Sequence, residues 1–214
     1  MKKVFYILVS LLLSCNLMAQ KIKYTEYDLV LGPMIGIQTS TMSSLGGDYK
    51  FGPVVGVDLE FFVTPSFSLG FNSYWTQAGT RNVTKKKVSY NGTDIGSYDV
   101  NTHYIYTNYQ FKYYVTPRIG VFTGINIGFL TGAKINSKET GKIDVKDYLS
   151  GRDLSIPIGV SYNFNQSLGL SLRYNIGLKK IGENSSGSDS GTILLDNARN
   201  QQIMMTAYYH FSVM

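Results

Sequence analysis

The chain has little cysteine, little charge and no long apolar run beyond its first residues. Cys15 is the single cysteine among 214 residues, which excludes a disulfide framework and a thiolate metal site. Charged residues make up 16% of the chain, against about 25% in soluble domains. No later stretch reaches the roughly 18 apolar residues of a membrane-spanning helix. The 17 Tyr and 11 Phe exclude a disordered chain, so we expect one folded domain.

The first residues read as an export signal. Two lysines precede an apolar stretch over residues 4–13, which is too short to span a bilayer as a helix. Two processing routes are open: cleavage after Ala19, which we favour, or lipidation of Cys15, because residues 12–15 resemble a lipobox. The expected organisation is a signal peptide at 1–19, a short periplasmic segment at 20–26 and the domain at 27–214.

Beyond the signal, apolar side chains alternate with small or polar ones. From Phe51 to Val63 every second residue is apolar, and the residues between them include Gly52, Asp58 and Glu60. A period of two indicates a strand with two unlike faces. The pattern recurs in eight segments, which begin near Leu29, Phe51, Phe67, Ile105, Ile119, Leu154, Leu168 and Gln202.

The connections between these segments alternate between short and long. Three tight turns fall at residues 64–66, 116–118 and 165–167, and four longer polar stretches fall at 39–49, 79–100, 135–153 and 181–200. Short turns at one end and long loops at the other predict an up-and-down antiparallel sheet. We predict an all-β fold: an eight-stranded antiparallel barrel in which the strand at 29–38 pairs with the strand at 203–213.

The alternation alone fits a soluble barrel, with the apolar face inside, or a membrane barrel, with that face outside. Four features favour the membrane. The second face is rich in Gly, Ser and Asn, the predicted strands have the length of a bilayer crossing, and the exported chain carries little charge. Aromatic residues near the tight turns, Phe62, Tyr114 and Tyr208 among them, suggest an interfacial girdle. We predict a transmembrane barrel in the outer membrane, with both termini in the periplasm.

Several strand segments also resemble a known family, the small outer-membrane β-barrel domain proteins of Gram-negative bacteria, described as porin-family or PorT-like. The resemblance covers 27–214 and is carried by YTNYQFKYYVT at 106–116, FTGINIGFLTG at 122–132, LSIPIGVSYNF at 154–164 and LGLSLRYNIGL at 168–178. It implies an eight-stranded outer-membrane barrel and no particular activity. Many such barrels end in an aromatic residue, whereas here Phe211 lies three residues before the end.

Four charged residues fall on the predicted inward face. They are Asp58, Glu60, Lys112 and Arg173, at similar distances from the tight turns. We expect them to form a buried network that joins the acids to the bases. Such a network is either a gate for ions or a structural plug, and we favour the plug because charges removed from water need partners.

The remaining chemistry is sparse. The chain has two histidines, His103 and His210, placed near opposite ends of the predicted barrel, roughly 20 Å apart along its axis. They cannot share a site, and the sequence has no nucleophile elbow, paired-histidine motif or phosphate-binding loop. We therefore expect no enzymatic activity, no cofactor and no metal.

Basic charge gathers in the long loops. The formal net charge is +6, but the one cluster of lysines, Lys85, Lys86 and Lys87, lies in a predicted loop, which argues against a nucleic-acid partner. Together with Arg81, this loop either contacts phosphates of outer-leaflet lipopolysaccharide or is simply solvated.

These features favour a structural or surface-interaction protein with a plugged lumen, in contact with outer-membrane lipid and with an unidentified protein partner in envelope assembly or secretion. The main alternative is a porin-like passive channel for ions or small solutes. A lipid-modifying enzyme is a third, weaker alternative.

Overall fold

The computed structural model describes residues 22, 24–84, 88–90, 93–137, 141–181 and 198–213. Eight long strands, numbered here in chain order, are β1 Leu29–Met42, β2 Asp48–Thr64, β3 Phe67–Val83, β4 Tyr98–Tyr114, β5 Ile119–Ser137, β6 Arg152–Asn163, β7 Leu168–Gly177 and β8 Asn200–Tyr209. Shorter pieces are Val88–Tyr90, Thr93–Ile95, Gly141–Asp144, Phe211–Ser212 and a 3₁₀ turn at Lys146–Tyr148. Among the described residues, no helix is long and apolar enough to cross a membrane.

The eight strands close into a ring. Each pairs antiparallel with its sequence neighbour, and β1 also pairs with β8, for example Ile35 with Ala207. Just beyond β8, Leu31 pairs with Phe211. The ring therefore has no open edge, as a sheet in lipid requires, since each unpaired backbone group there costs several kcal/mol. The predicted fold class and the pairing of the first and last strands are confirmed.

The three tight turns form where predicted, and each has the same local cause. The amide of Phe67 donates to Thr64 Oγ1 at 3.0 Å, and the amide of Ile119 donates to Thr116 Oγ1 at 3.0 Å. In the third turn the amide of Leu168 donates to Asn165 Oδ1 at 2.7 Å. A short polar side chain that accepts from the backbone three residues later fixes a reversal of the chain.

The apolar face points away from the barrel axis. On β7, Leu172 is 48% exposed, whereas its neighbours Ser171 and Arg173 are 6% and 2% exposed. Ile158 on β6 and Ile125 on β5 show the same outward exposure. These outward residues form a continuous belt, called here the apolar band. A soluble barrel would have the opposite orientation.

Strands β2 to β5 are longer than the sequence analysis predicts, at 17 to 19 residues each. They extend into the stretches 39–49, 79–100 and 135–153, which were expected to be loops. The reason is that outward residues become polar there, as at Arg81 and Asn136, so the apolar alternation ends before the strand does. Strands β6 to β8 have the expected 10 to 12 residues.

Three of the aromatic residues predicted to form an interfacial girdle lie inside the barrel instead. Phe62, Tyr114 and Tyr208 are at most 4% exposed, so the prediction was wrong for them. Adjacent residues on a strand point to opposite faces. In each aromatic pair, therefore, one ring points inward and its neighbour, such as Tyr113 or Tyr209, points outward.

Candidate functional site: the barrel interior

An ion pair lies inside the barrel near the tight turns. Lys112 Nζ on β4 donates to Glu60 Oε2 on β2 at 2.8 Å, and both side chains are almost fully buried. Glu60 also accepts hydrogen bonds from the Tyr114 hydroxyl, at 2.7 Å, and from the Ser68 hydroxyl. The carboxylate thus has a cation and two hydroxyl donors in place of water, which is what a buried charge requires.

Asp58 forms a second buried pair, with His210. The distance from Asp58 Oδ2 to His210 Nε2 is 2.8 Å, and the side-chain amide of Asn72 donates from Nδ2 to Asp58 Oδ1. The strand between the two residues is β1, where Gly32 pairs with Asp58. A Cβ on Gly32 would overlap the carbonyl oxygen of Tyr209, so glycine permits the close approach of the closing strands and leaves room for the two side chains to meet.

Arg173 binds to neutral partners rather than to a carboxylate. Its Nη1 donates to Asn72 Oδ1 at 3.2 Å, and the guanidinium lies 5.5 Å from the ring centre of Tyr74 and 5.7 Å from that of Phe122. Asn72 therefore connects Arg173 to Asp58. Of the four predicted residues, the structure brings Glu60 and Lys112 into direct contact and links the other two through an amide.

The cluster is tightly packed. The cavity between Met34, Asp58, Lys112, Arg173 and Tyr208 has a volume of about 10 Å³. A buried water needs roughly 10–15 Å³, so the space holds one water at most.

The group Asp58, Glu60 and His210 also has the spacing of a metal site, with ligand atoms within 4.8 Å of one another. Its chemistry fits a metal poorly. Lys112 already contacts Glu60, and Arg173 lies one amide away from Asp58, so the two carboxylates have two nearby cations. A divalent ion would have to displace these partners.

A second polar layer lies further along the axis and was missed by the sequence analysis. Asp153 accepts from the Tyr106 hydroxyl at 2.6 Å and from Asn200 Nδ2 at 3.0 Å. Gln202 in turn donates to the Tyr106 hydroxyl at 3.0 Å. Asp153 was assigned to a loop, but it directly precedes Leu154 on the inward face of β6. Extending the period of two by one residue would have placed it there.

Beyond this layer, at the long-loop end, many inward side chains are apolar, and Ser40, Thr80 and Thr102 are also buried there. The apolar ones, called here the apolar cap, are all at most 4% exposed: Met42, Leu45, Ala78, Val83, Val100, Ala133, Ile135, Val145, Leu149, Ile181 and Ala198. On the same strands the outward residues are polar, as at Asn101 and Lys134. This end of the barrel therefore has the ordinary pattern of a water-exposed β-sheet.

The opposite end is filled by the chain's own N-terminal segment. The Tyr24 ring stacks on Phe62 at 4.1 Å and lies 5.4 Å from Tyr114, and its hydroxyl accepts from Asn163 Nδ2 at 2.7 Å. Burial raises the pKa of the Tyr24 phenol well above its ordinary value, with the negative charge of Glu60 as a smaller cause. The described part of the predicted periplasmic segment therefore folds into the barrel mouth.

Replacing Tyr24 by Phe should lower the free energy of unfolding by about 1–2 kcal/mol, because Asn163 Nδ2 would lose its buried partner while the stacking remains. Urea titration of the barrel in lipid vesicles, followed by tryptophan fluorescence, measures this loss. Tyr27→Phe is the matched control, because Tyr27 is 69% exposed. Equal stability of both variants would contradict the buried hydrogen bond.

The other predicted residues lie on the surface or outside the described part. His103 stacks on Trp75 at 5.7 Å between ring centres, on the outward face, whereas His210 is in the lumen. Arg81 is exposed and pairs in register with Asp48. Lys85, Lys86 and Lys87, like Cys15 and the export signal at 1–19, lie outside the described residues.

Comparison with known families identifies the architecture. Residues 18–183 match the family described as outer membrane protein beta-barrel domain, which is more than half of the 214-residue chain. The chain belongs to this family. No curated protein has significant sequence similarity to this outer-membrane barrel. Family membership places the barrel in the outer membrane, so the apolar band faces lipid.

Several solved structures are similar to the chain at low sequence identity. Neisserial surface protein A matches with a TM-score of 0.52 and 16% identity, over 86% of this chain and 97% of that one. Ail of Yersinia pestis, in complex with the heparin analogue sucrose octasulfate, has a TM-score of 0.49 and 13% identity, over 86% and 99%. OprG of Pseudomonas aeruginosa has a TM-score of 0.43 and 10% identity, over 90% and 99%. Identities this low concern the fold alone.

Proposed function

We propose that this outer-membrane barrel is a closed structural protein that presents its long-loop end for interaction, and that it is not a channel. The observation that carries the proposal is the filled interior. Tyr24 and its stacked partners occupy one end, the ion cluster around Glu60 and Lys112 lies next to them, and the apolar cap occupies the other end. An ion would have to cross all three layers.

The proposed orientation puts the tight turns and both termini in the periplasm and the long-loop end outside the cell. Two features support it. Barrels of this class have short periplasmic turns and longer extracellular loops, and the three tight turns share one end with Tyr24 and Ser212. An even number of strands places both termini on that side.

The part offered to a partner is the projection of β2 to β5 beyond the apolar band. Outward residues such as Gln77, Asn101 and Lys134 are polar, with Tyr49 as an exposed aromatic exception, and the inward residues include the apolar cap. The projection is thus a water-exposed platform held by the barrel. We propose that it binds a protein partner in envelope assembly or secretion, and that Arg81 with Lys85, Lys86 and Lys87 contacts lipopolysaccharide phosphate.

Planar bilayer recordings test the closed state. The purified barrel should insert without producing a steady open-channel conductance, because no continuous water path crosses the ion cluster. A porin in the same bilayers is the control for detection, and proteolysis of reconstituted vesicles confirms insertion. A reproducible unit conductance would overturn the proposal in favour of a passive channel. A changed lipid A acylation pattern in cells lacking the protein would favour an enzyme instead.

A further inference from the structure

Four basic residues lie together where β6, β7 and β8 leave the apolar band at the long-loop end. They are Arg152, Lys179, Lys180 and Arg199, called here the rim patch. The amides of Leu178 and Lys179 both donate to the carbonyl of Leu154, at 2.7 and 3.3 Å, which brings the end of β7 beside the start of β6. On β8, Gln201 pairs with Ile176, so Arg199 lies two residues further along, beside the end of β7.

The rim patch lies directly above lipid-facing residues. Arg152 lies two residues before Leu154 on the outward face of β6, and Lys180 lies two residues after Leu178, just beyond the end of β7. Leu178 is 43% exposed and belongs to the apolar band. Long basic side chains at this height rest their methylene groups on apolar surface and place their charges at the level of the headgroups.

Lys179 interacts with the buried carboxylate of Asp153, whereas Arg152, Lys180 and Arg199 form no ion pair within the described residues. All four residues are exposed, and the ion pairs found in the described part of the chain, Lys112 with Glu60 and His210 with Asp58, are both inside the lumen. Lys134, by contrast, has Asp144 as its neighbour in register. Residues 182–197, which include three acidic residues, lie outside the described part.

The patch lies on one side of the barrel. Just beyond the apolar band, the outward residues Thr39 on β1 and Gln77 on β3 are uncharged, and Lys134 on β5 is a single basic residue in register with Asn101 on β4. Interfacial anchoring in general would spread basic residues around the whole rim. A local cluster of two arginines and two lysines instead matches a ligand with several phosphates, since guanidinium groups bind phosphate oxygens in pairs.

We propose that the rim patch binds the phosphate groups of a phosphorylated glycolipid in the leaflet at the long-loop end. The proposal rests on the orientation given under the proposed function, which puts this end at the outer leaflet. It concerns residues other than Arg81 and its neighbouring lysines, and it does not depend on whether the lumen conducts.

The test is binding of bis-phosphorylated lipid A to the full barrel in nanodiscs, measured by native mass spectrometry. The variant Arg152→Gln/Lys180→Gln/Arg199→Gln should bind about 10- to 100-fold more weakly than the unmodified protein. Each basic residue at the interface adds to the attraction to anionic lipid, and this variant removes three of them. The matched control is Lys134→Gln/Lys142→Gln/Lys146→Gln, which removes the same charge from residues outside the rim patch. It should bind within about twofold.

Three results would overturn the proposal. One is an equal loss in both triple variants, which would mean a general effect of net charge. Another is equal binding of dephosphorylated lipid A, which would mean acyl-chain contact alone. The third is equally tight binding of phosphatidylglycerol, which would assign the patch to phospholipid. Accessibility of the rim to protease from the periplasmic side would refute the proposed orientation separately, and a unit conductance would refute the closed lumen while leaving lipid binding intact.

Discussion

Replacing Glu60 by Gln should lower the free energy of unfolding by about 3–5 kcal/mol, the range seen when one partner of a buried ion pair is removed. The substitution keeps the volume but leaves the Lys112 ammonium in the lumen without its counter-ion. Lys112 is 4% exposed, and the nearby carboxylate of Asp58 is already paired with His210. The other neighbours of Lys112 are the rings of Tyr114, Phe122 and Tyr208, at 5.7 to 5.9 Å. None of these rings replaces a carboxylate.

Urea titration in lipid vesicles measures the loss, and the chain carries its own probe. Trp75 is the single tryptophan and lies on the outward face at the edge of the apolar band. The double variant Glu60→Gln/Lys112→Met removes both charges and should be more stable than Glu60→Gln alone, because no unpaired ion remains. If the loss in the double variant equalled the sum of the losses in Glu60→Gln and Lys112→Met, the two side chains would not interact.

The sequence predicts the lipid-facing part of the fold well, because outward residues inside the bilayer are mostly apolar, with small exceptions such as Thr123. Strands such as β7 are therefore visible as an unbroken period of two, and the turns are marked by Thr64, Thr116 and Asn165. Beyond the bilayer the pattern reverses. Outward Asn101 and inward Val100 still alternate, but in the opposite sense, so the strand continues where the apolar pattern ends.

For the candidate site, the sequence predicts which side chains point inward but not which of them contact one another. The parity of each strand places Glu60, Lys112 and Arg173 inward. Which of them meet depends on the registers of several strands at once, and the sequence does not specify these. The contact between His210 and Asp58 crosses β1 at Gly32, so it depends on a residue that has no side chain.

The apolar cap was not predictable for a related reason. Its members come from several stretches assigned to different loops, among them Met42, Val83, Ile135 and Ile181. Only closure of the ring brings these stretches to one place. Once they meet, burial of their side chains stabilises the projection without help from lipid, because apolar surface is removed from water there as in a soluble protein.

Replacing Leu172 by Arg should destabilise the barrel by about 2–4 kcal/mol, the cost of a basic side chain at the bilayer midplane on the lipid face. Leu172 lies at the centre of β7 and faces outward. The matched control is Asn101→Arg, which adds the same charge to an outward position beyond the apolar band and should change stability by no more than about 0.5 kcal/mol. Urea titration in vesicles measures both. On a water-exposed surface the two substitutions would be equally mild, so equal and small effects would contradict the assignment of this face to lipid.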